Sequence, residues 1–243
     1  MHKWVVGMFA LLISLPVLGA GRLGQVEIID ARTGRSLPVY FDNGRHYVAG
    51  VPGQVYSIRI RNRTRTDLLA VVSVDGVNVV TGETAAVNQG GYILHQRQRF
   101  DISGWRKSLE QVASFCFTDL DDSYAVRTGR PDNVGVIGVA WFRPRVDAPF
   151  VEGFATPGES PAPAAGKPEA RSDSAERLGT GHGHRIESIV RYGQFERASE
   201  VPDEIVTIYY DSRANLIARG VIPGPRPGPE PFPHGFVADP PNG

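Results

Sequence analysis

The chain has 243 residues, 41% of them apolar, and its 26 basic and 26 acidic side chains balance to a net charge of zero. This length and apolar content suffice for a hydrophobic core and exclude an intrinsically disordered chain. The zero net charge gives no overall attraction to nucleic acid, so we expect no nucleic-acid partner. The single cysteine, Cys116, excludes an intrachain disulfide, and its apolar neighbours predict a buried, inert thiol.

The first 21 residues are organised like an export signal. Lys3 supplies a positive charge, residues 4–15 are apolar, Pro16 interrupts them, and three small residues follow at 19–21. This order predicts a signal peptide over 1–21, cleaved after one of the small residues. The alternative is a retained anchor, but the apolar stretch is shorter than the ~20 residues that a membrane span needs. We therefore expect a periplasmic or secreted protein with no membrane span after signal cleavage.

Short alternating segments separated by turn residues follow the signal. Residues 54–61 alternate cleanly between polar and apolar side chains, and Asn43-Gly44 between two apolar segments predicts a hairpin. Residues 68–74 form a continuous apolar run, which is typical of a central strand. Further strands are predicted at 25–30, 37–41, 46–49, 77–80, 92–94, 99–102, 112–117 and 134–142. The pattern predicts a mainly β fold, an antiparallel β-sandwich of the Ig-like or jelly-roll-like kind, over residues 22–155.

The composition changes after the sandwich, at Thr156. Three regions follow: a disordered linker, a small C-terminal β/α addition that packs on the sandwich, and a proline-rich disordered tail, predicted at 156–177, 178–222 and 223–243. Within the addition we expect a short helix at 192–199 and a hairpin formed by residues 204–210 and 216–221.

Two histidines at the start of this addition are candidate metal ligands. His182 and His184 lie two residues apart in the glycine-rich run 179–184. In an extended segment this spacing projects two imidazoles to one side, where they can share a transition metal. No third ligand follows at a recognised spacing, so the alternative is a glycine-rich loop that leads into a strand. The sequence does not identify a cofactor.

Arginines recur at every second position from the middle of the predicted strand 54–61. Arg59, Arg61 and Arg63, continued by Arg65, would share one face if the strand persisted. Guanidinium groups bind phosphate and carboxylate groups well, so we predict the first three as ligand-binding residues for an anionic partner. The alternative is that they belong to an edge strand and discourage sheet-to-sheet pairing.

Two acidic segments could supply oxygen ligands for calcium, but both are explained as turns. Residues 118–123 contain three aspartates without the ligand spacing of an EF-hand. Asp75-Gly76 is a typical tight-turn pair. No nucleophile elbow, phosphate loop, dinucleotide fingerprint or zinc-protease helix occurs in the sequence, so we predict no catalytic residue.

A resemblance to a known family rests on three stretches of the sequence. They are residues 70–85 around Asp75-Gly76, residues 122–140 with Arg127-Thr128-Gly129-Arg130-Pro131, and residues 178–183 with Gly179-Thr180-Gly181-His182-Gly183. Together they resemble a family of uncharacterised exported proteobacterial proteins to which no activity is assigned. The resemblance extends from about Leu37 to Val221. It implies no catalytic residue, but it implies that the segment after the linker belongs to the same unit as the sandwich.

From these patterns we expect a non-catalytic binding or structural module of the cell envelope. Its partner would be an envelope protein or an anionic envelope component. The alternative hypothesis is a metal-dependent enzyme that uses His182 and His184. The sequence leaves open whether the protein is an enzyme.

Overall fold

The structure is a computed structural model that describes residues 19–145 and 177–224. The predicted signal peptide, linker and proline-rich tail lie outside the described residues, apart from 19–21, 177 and 223–224. Within the described ranges, none of the helices has the length and apolar character that crossing a membrane requires.

The described ranges form thirteen strands and two short α-helices. The strands are β1 (Gly24–Asp30), β2 (Val39–Asp42), β3 (Arg45–Gly50), β4 (Val55–Asn62), β5 (Leu68–Val74), β6 (Val77–Asn78), β7 (Tyr92–Leu94), β8 (Arg99–Ile102), β9 (Gly104–Arg106), β10 (Gln111–Asp119), β11 (Val136–Phe142), β12 (Leu178–Glu187) and β13 (Glu204–Ser212). The helices are α1 (Tyr124–Arg127) and α2 (Arg213–Ala218), and 3-10 turns span Leu120–Asp122 and Pro131–Asn133.

The strands form two sheets that face each other across a common core. The first sheet has the order β1-β4-β10-β12, with β8 paired to β4 and β9 paired to β10. The second has the order β2-β3-β13-β11-β5-β6, with β7 also paired to β5. All the named pairings are antiparallel except that of β3 with β13, which is parallel. The predicted mainly β sandwich is confirmed, and the parallel pair makes its second sheet mixed.

Side-chain alternation explains how the strands bury one face. In β4, Tyr56, Ile58 and Ile60 are fully buried in the core, whereas Arg59 is half-buried and Arg61 is exposed. This period of two is what a strand with one solvent-facing side requires.

Strand β5 is buried on both faces, as its continuous apolar sequence predicts. On the outer face of the second sheet, Leu69 and Phe142 belong to a small apolar cluster against which Phe195 packs. The Arg197 guanidinium lies 4.2 Å from the centre of the Phe142 ring and donates to the carbonyl oxygens of Val87 (2.6 Å) and Gln89 (2.5 Å). This segment covers the sheet without forming a helix, so the predicted helix at 192–199 is wrong.

The C-terminal addition supplies one strand to each sheet. Strand β12 pairs with β10 at the edge of the first sheet, and β13 lies between β3 and β11 inside the second. The predicted hairpin of 204–210 and 216–221 is replaced by β13 followed by α2. The reason is local: the Ser212 side chain accepts a hydrogen bond from the Asn215 N–H and caps the helix.

Glu204 fastens the start of the described chain to β13. Its carboxylate accepts hydrogen bonds from the backbone N–H groups of Arg22 (2.7 Å), Leu23 (2.6 Å) and Gly24 (3.3 Å). Gly24 lies so close to Trp141 that an added Cβ would be 2.1 Å from the indole ring. The first strand is therefore held to the second sheet at its beginning.

We expect Gly24→Ala to lower the free energy of unfolding by about 3 kcal/mol, because the added methyl group would overlap the ring of the fully buried Trp141. Gly181→Ala is a matched control, since its Cβ would lie 3.2 Å from one methyl group of Thr118. It should cost less than about 1 kcal/mol. Urea denaturation followed by tryptophan fluorescence measures both values, and equal midpoints for the two variants would contradict the packing argument.

Candidate functional site

Asp75 is a fully buried carboxylic acid at the turn between β5 and β6. Its φ of 53° and the φ of 72° at Gly76 place both turn residues in the left-handed region. Asp and Gly tolerate this conformation, which explains the tight turn at this pair. The turn directs the Asp75 carboxylate into the interior of the sandwich.

The carboxylate is the centre of a buried hydrogen-bond network. Oδ1 accepts from the Tyr210 hydroxyl (2.5 Å) and the Gly135 N–H (2.9 Å), and Oδ2 accepts from the Thr180 N–H (2.8 Å). The Thr180 hydroxyl lies 2.6 Å from the Tyr210 oxygen and 2.8 Å from the Tyr56 oxygen. The network therefore connects strands of both sheets: β4 and β12 of the first, and β13 of the second.

Burial determines the protonation of this network. It raises the pKa of Asp75 to about 6, although the hydrogen bonds from Tyr210, Thr180 and Gly135 favour the carboxylate. Burial also raises the pKa values of Tyr56 and Tyr210 well above their ordinary value, so both phenols stay protonated. Because the carboxylate is enclosed and its described partners are protein groups, we assign the network a structural role.

The structure places the two candidate metal ligands on β12, with a β-bulge between them. Ala113 of β10 pairs with Arg185 and Phe115 pairs with His182, so Gly183 and His184 together face one residue of β10. A bulge interrupts the regular alternation of side chains. The two-residue spacing therefore no longer implies that His182 and His184 project to one side.

His182 is exposed, and its ring lies 5.7 Å from that of Tyr124. Partial burial and then the charge of Lys107 lower the pKa of His182, which favours the neutral imidazole that binds metals. Within residues 19–145 and 177–224, no group of three or more His, Cys, Asp or Glu side chains could hold a metal ion. The metal site at His182 and His184 stays a prediction.

The glycines around these histidines pack against other parts of the protein. A Cβ on Gly179 would lie 2.4 Å from the Ser123 Cβ, and one on Gly183 would lie 2.4 Å from the Ser114 Oγ. Close packing of β12 on β10 and on the start of α1 therefore explains these two glycines without a ligand.

The predicted arginine row begins on an interior strand. β4 lies between β1 and β8, so the edge-strand interpretation does not apply. Arg59 faces Glu27 on β1 and Asp101 on β8, and its guanidinium donates to both Asp101 oxygens at 2.8 Å. Arg59 is therefore neutralised by neighbouring carboxylates.

Arg61 is in a different environment. It pairs with Gln25 on β1 and directly opposes Arg99 on β8, and both arginines are exposed. Among the described residues, neither forms an ion pair with a carboxylate. Arg63 follows the end of β4, and its guanidinium lies 3.4 Å from the Gly21 carbonyl oxygen. We call Arg59, Arg61, Arg63 and Arg99 the arginine face.

Two other sequence candidates have local structural explanations. Cys116 is half-buried, and burial raises its pKa, which keeps the thiol protonated. The acidic stretch after β10 forms a 3-10 turn, and the Ser123 side chain that follows accepts from the Val126 N–H and caps α1.

Comparisons of the chain with protein-family models, with curated proteins and with solved structures found no match. The resemblance to an exported proteobacterial family therefore stays a prediction.

We expect the stability contributed by Asp75 to increase as the pH falls from 7 toward about 5. Its folded-state pKa of about 6 exceeds the ordinary 3.8, so the folded state holds the proton more tightly. This stabilisation is fully present below the ordinary pKa and is lost as the pH rises through the folded value. The free energy of unfolding of wild type minus that of Asp75→Asn should grow by about 1 kcal/mol over this range. Urea denaturation at each pH measures it, and a constant difference would contradict the shift.

The metal hypothesis predicts one equivalent of zinc, copper or nickel in the wild-type chain after incubation and dialysis. His182→Ala combined with His184→Ala should abolish the binding, because both imidazole ligands are removed. His46→Ala removes a histidine on β3 and should retain the metal. Elemental analysis provides the measurement, and a wild-type chain without stoichiometric metal would eliminate the hypothesis.

Proposed function

We propose that this protein is a non-catalytic module that acts outside the cytoplasm and binds an anionic component of the cell envelope through its arginine face. The observation that carries the proposal is the direct opposition of Arg61 and Arg99 on neighbouring strands without a carboxylate between them. The export signal predicted over residues 1–21 supports the compartment.

Like charges that face each other across two strands destabilise a sheet. Two residues along the same strands, the protein pairs Arg59 with Asp101, so neutralisation is structurally feasible here. Leaving Arg61 opposite Arg99 therefore has a cost that a bound anion would offset. Two adjacent guanidinium groups can hold a phosphate or carboxylate by several charge-assisted hydrogen bonds.

The position of these groups favours binding rather than chemistry. Arg61 and Arg99 are exposed on the face of β4 and β8 opposite the buried Ile58 and Ile60. The buried acid Asp75 lies in the interior, in the hydrogen-bond network between the sheets. The ligand chemistry that fits is a phosphate or carboxylate displayed on a large envelope component.

We expect Arg61→Gln combined with Arg99→Gln to weaken binding to vesicles of phosphatidylglycerol and phosphatidylcholine by about 30-fold, since each basic residue near an anionic surface contributes roughly 1 kcal/mol. Cosedimentation at low and high salt measures the affinity. Arg127→Gln combined with Arg213→Gln is the matched control, because it removes the same charge from α1 and α2.

Stability provides a second measurement on the same variants. Removing the like-charge pair should leave the free energy of unfolding unchanged or raise it by a few tenths of a kcal/mol, on the order expected for cross-strand pairs. Titration with inorganic phosphate separates two cases. Binding of free phosphate indicates a site for a single anion, whereas binding of vesicles alone indicates a site that requires an anionic surface. Equal binding by both double variants, or no binding to anionic vesicles and phosphate by the wild type, would refute the proposal.

A further inference from the structure

The beginning of β13 has an open edge. β3 pairs with β13 only from Ile208 to Ser212. On that side, the preceding residues Glu204–Thr207 have no partner strand in the described part of the chain, although their other side pairs with β11. The second sheet therefore has an unpaired strand edge beside residues 204–207, which β3 does not reach.

Backbone hydrogen-bonding groups face this open edge. The Tyr210 N–H donates to the Gly135 carbonyl on the β11 side. Because successive residues of a strand point their backbone groups to opposite sides, the N–H groups of Ile205 and Thr207 point away from β11. An edge with such groups is a template for an added strand.

A pocket of about 500 Å³ lies along this edge. Its floor is Glu204–Thr207 together with Tyr209, and its walls are residues 44–46 and Gly21-Arg22. The Ile205 side chain is 59% exposed in it, which is unusual for an isoleucine within a sheet. We call this site the β13 notch.

The walls of the notch are cationic. The Arg22 side chain is 91% exposed, and the Arg45 guanidinium lies 5.3 Å from the centre of the Tyr209 ring. The nearby Glu204 carboxylate is 11% exposed, accepts hydrogen bonds from the N–H groups of Arg22 and Leu23, and lies 3.9 Å from the Arg22 Nε. Because the Glu204 carboxylate is largely buried and the Arg22 side chain is almost fully exposed, the accessible charge of the notch is mainly positive.

We propose that the β13 notch binds an extended, acidic peptide segment of a partner protein, which adds to the sheet as a short strand beside Glu204–Thr207. The backbone groups of Ile205 and Thr207 would bond the peptide main chain. The exposed Ile205 side chain would contact an apolar side chain of the peptide, and Arg22 and Arg45 would pair with its carboxylate. Two copies of this chain meeting notch to notch would bring these arginines together, so charge disfavours a second copy as the occupant.

The test uses the full chain and a capped six-residue peptide in which valine and threonine alternate and one threonine is replaced by aspartate. We expect saturable binding by fluorescence anisotropy, with amide chemical-shift changes at residues 204–207. The same peptide with asparagine for aspartate should bind about threefold more weakly, as expected for an exposed ion pair. Arg22→Gln combined with Arg45→Gln should reduce the affinity for the aspartate peptide to that of the asparagine peptide.

Ile205→Pro removes an N–H from the open side without removing a bond to β11, so the chain should still fold and peptide binding should be lost. Ile205→Glu is a second variant that keeps the N–H and opposes binding through repulsion of the acidic peptide and loss of the apolar contact. Arg61→Gln combined with Arg99→Gln should bind the peptide normally, which separates this site from the arginine face. Absence of saturable binding by the wild type, equal binding by a folded Ile205→Pro variant, or a dimer that Ile205→Pro dissociates would overturn the proposal.

Discussion

The buried carboxylate of Asp75 constrains the arrangement of both sheets. A carboxylate without partners in a protein interior is very costly, so the hydrogen bonds from Tyr210, Thr180 and Gly135 have to form together. Thr180 lies on β12 and Tyr210 on β13, so satisfying one acid fixes the position of both C-terminal strands relative to the β5–β6 turn. Tyr56 extends the same network to β4. The C-terminal addition is therefore an integral part of the sandwich.

The elements that the sequence predicts well are those decided by local alternation. β4 has one polar and one apolar face, and β5 has an uninterrupted apolar run because both of its faces are covered. The errors arise where a tertiary contact or a single cap decides the outcome. Residues 192–199 cover a sheet through Phe195 and Arg197 instead of forming a helix. After β13, the Ser212 cap begins α2 where the sequence suggests a turn between strands.

For the candidate sites, too, the sequence predicts features that depend on neighbouring residues but not those that depend on contacts between distant strands. The spacing of Arg59 and Arg61 reveals their common face, but only the register of β4 with β8 shows that Asp101 neutralises one and Arg99 opposes the other. Asp75 resembles an ordinary turn residue because its partners lie far along the chain. The bulge on β12 follows from its register with β10, so the spacing of the histidines alone is misleading.

The parallel pairing of β3 with β13 joins the first part of the chain to the last described strand. In the second sheet β13 lies between β3 and β11. Until β13 has been synthesised, the part that contains β3 cannot pair with the part that contains β11. Such a high contact order slows folding, since a long loop must close before the contacts form. A polypeptide synthesised from its amino terminus would therefore expose unpaired strand edges until β13 emerges. Intermolecular association competes with folding throughout that interval.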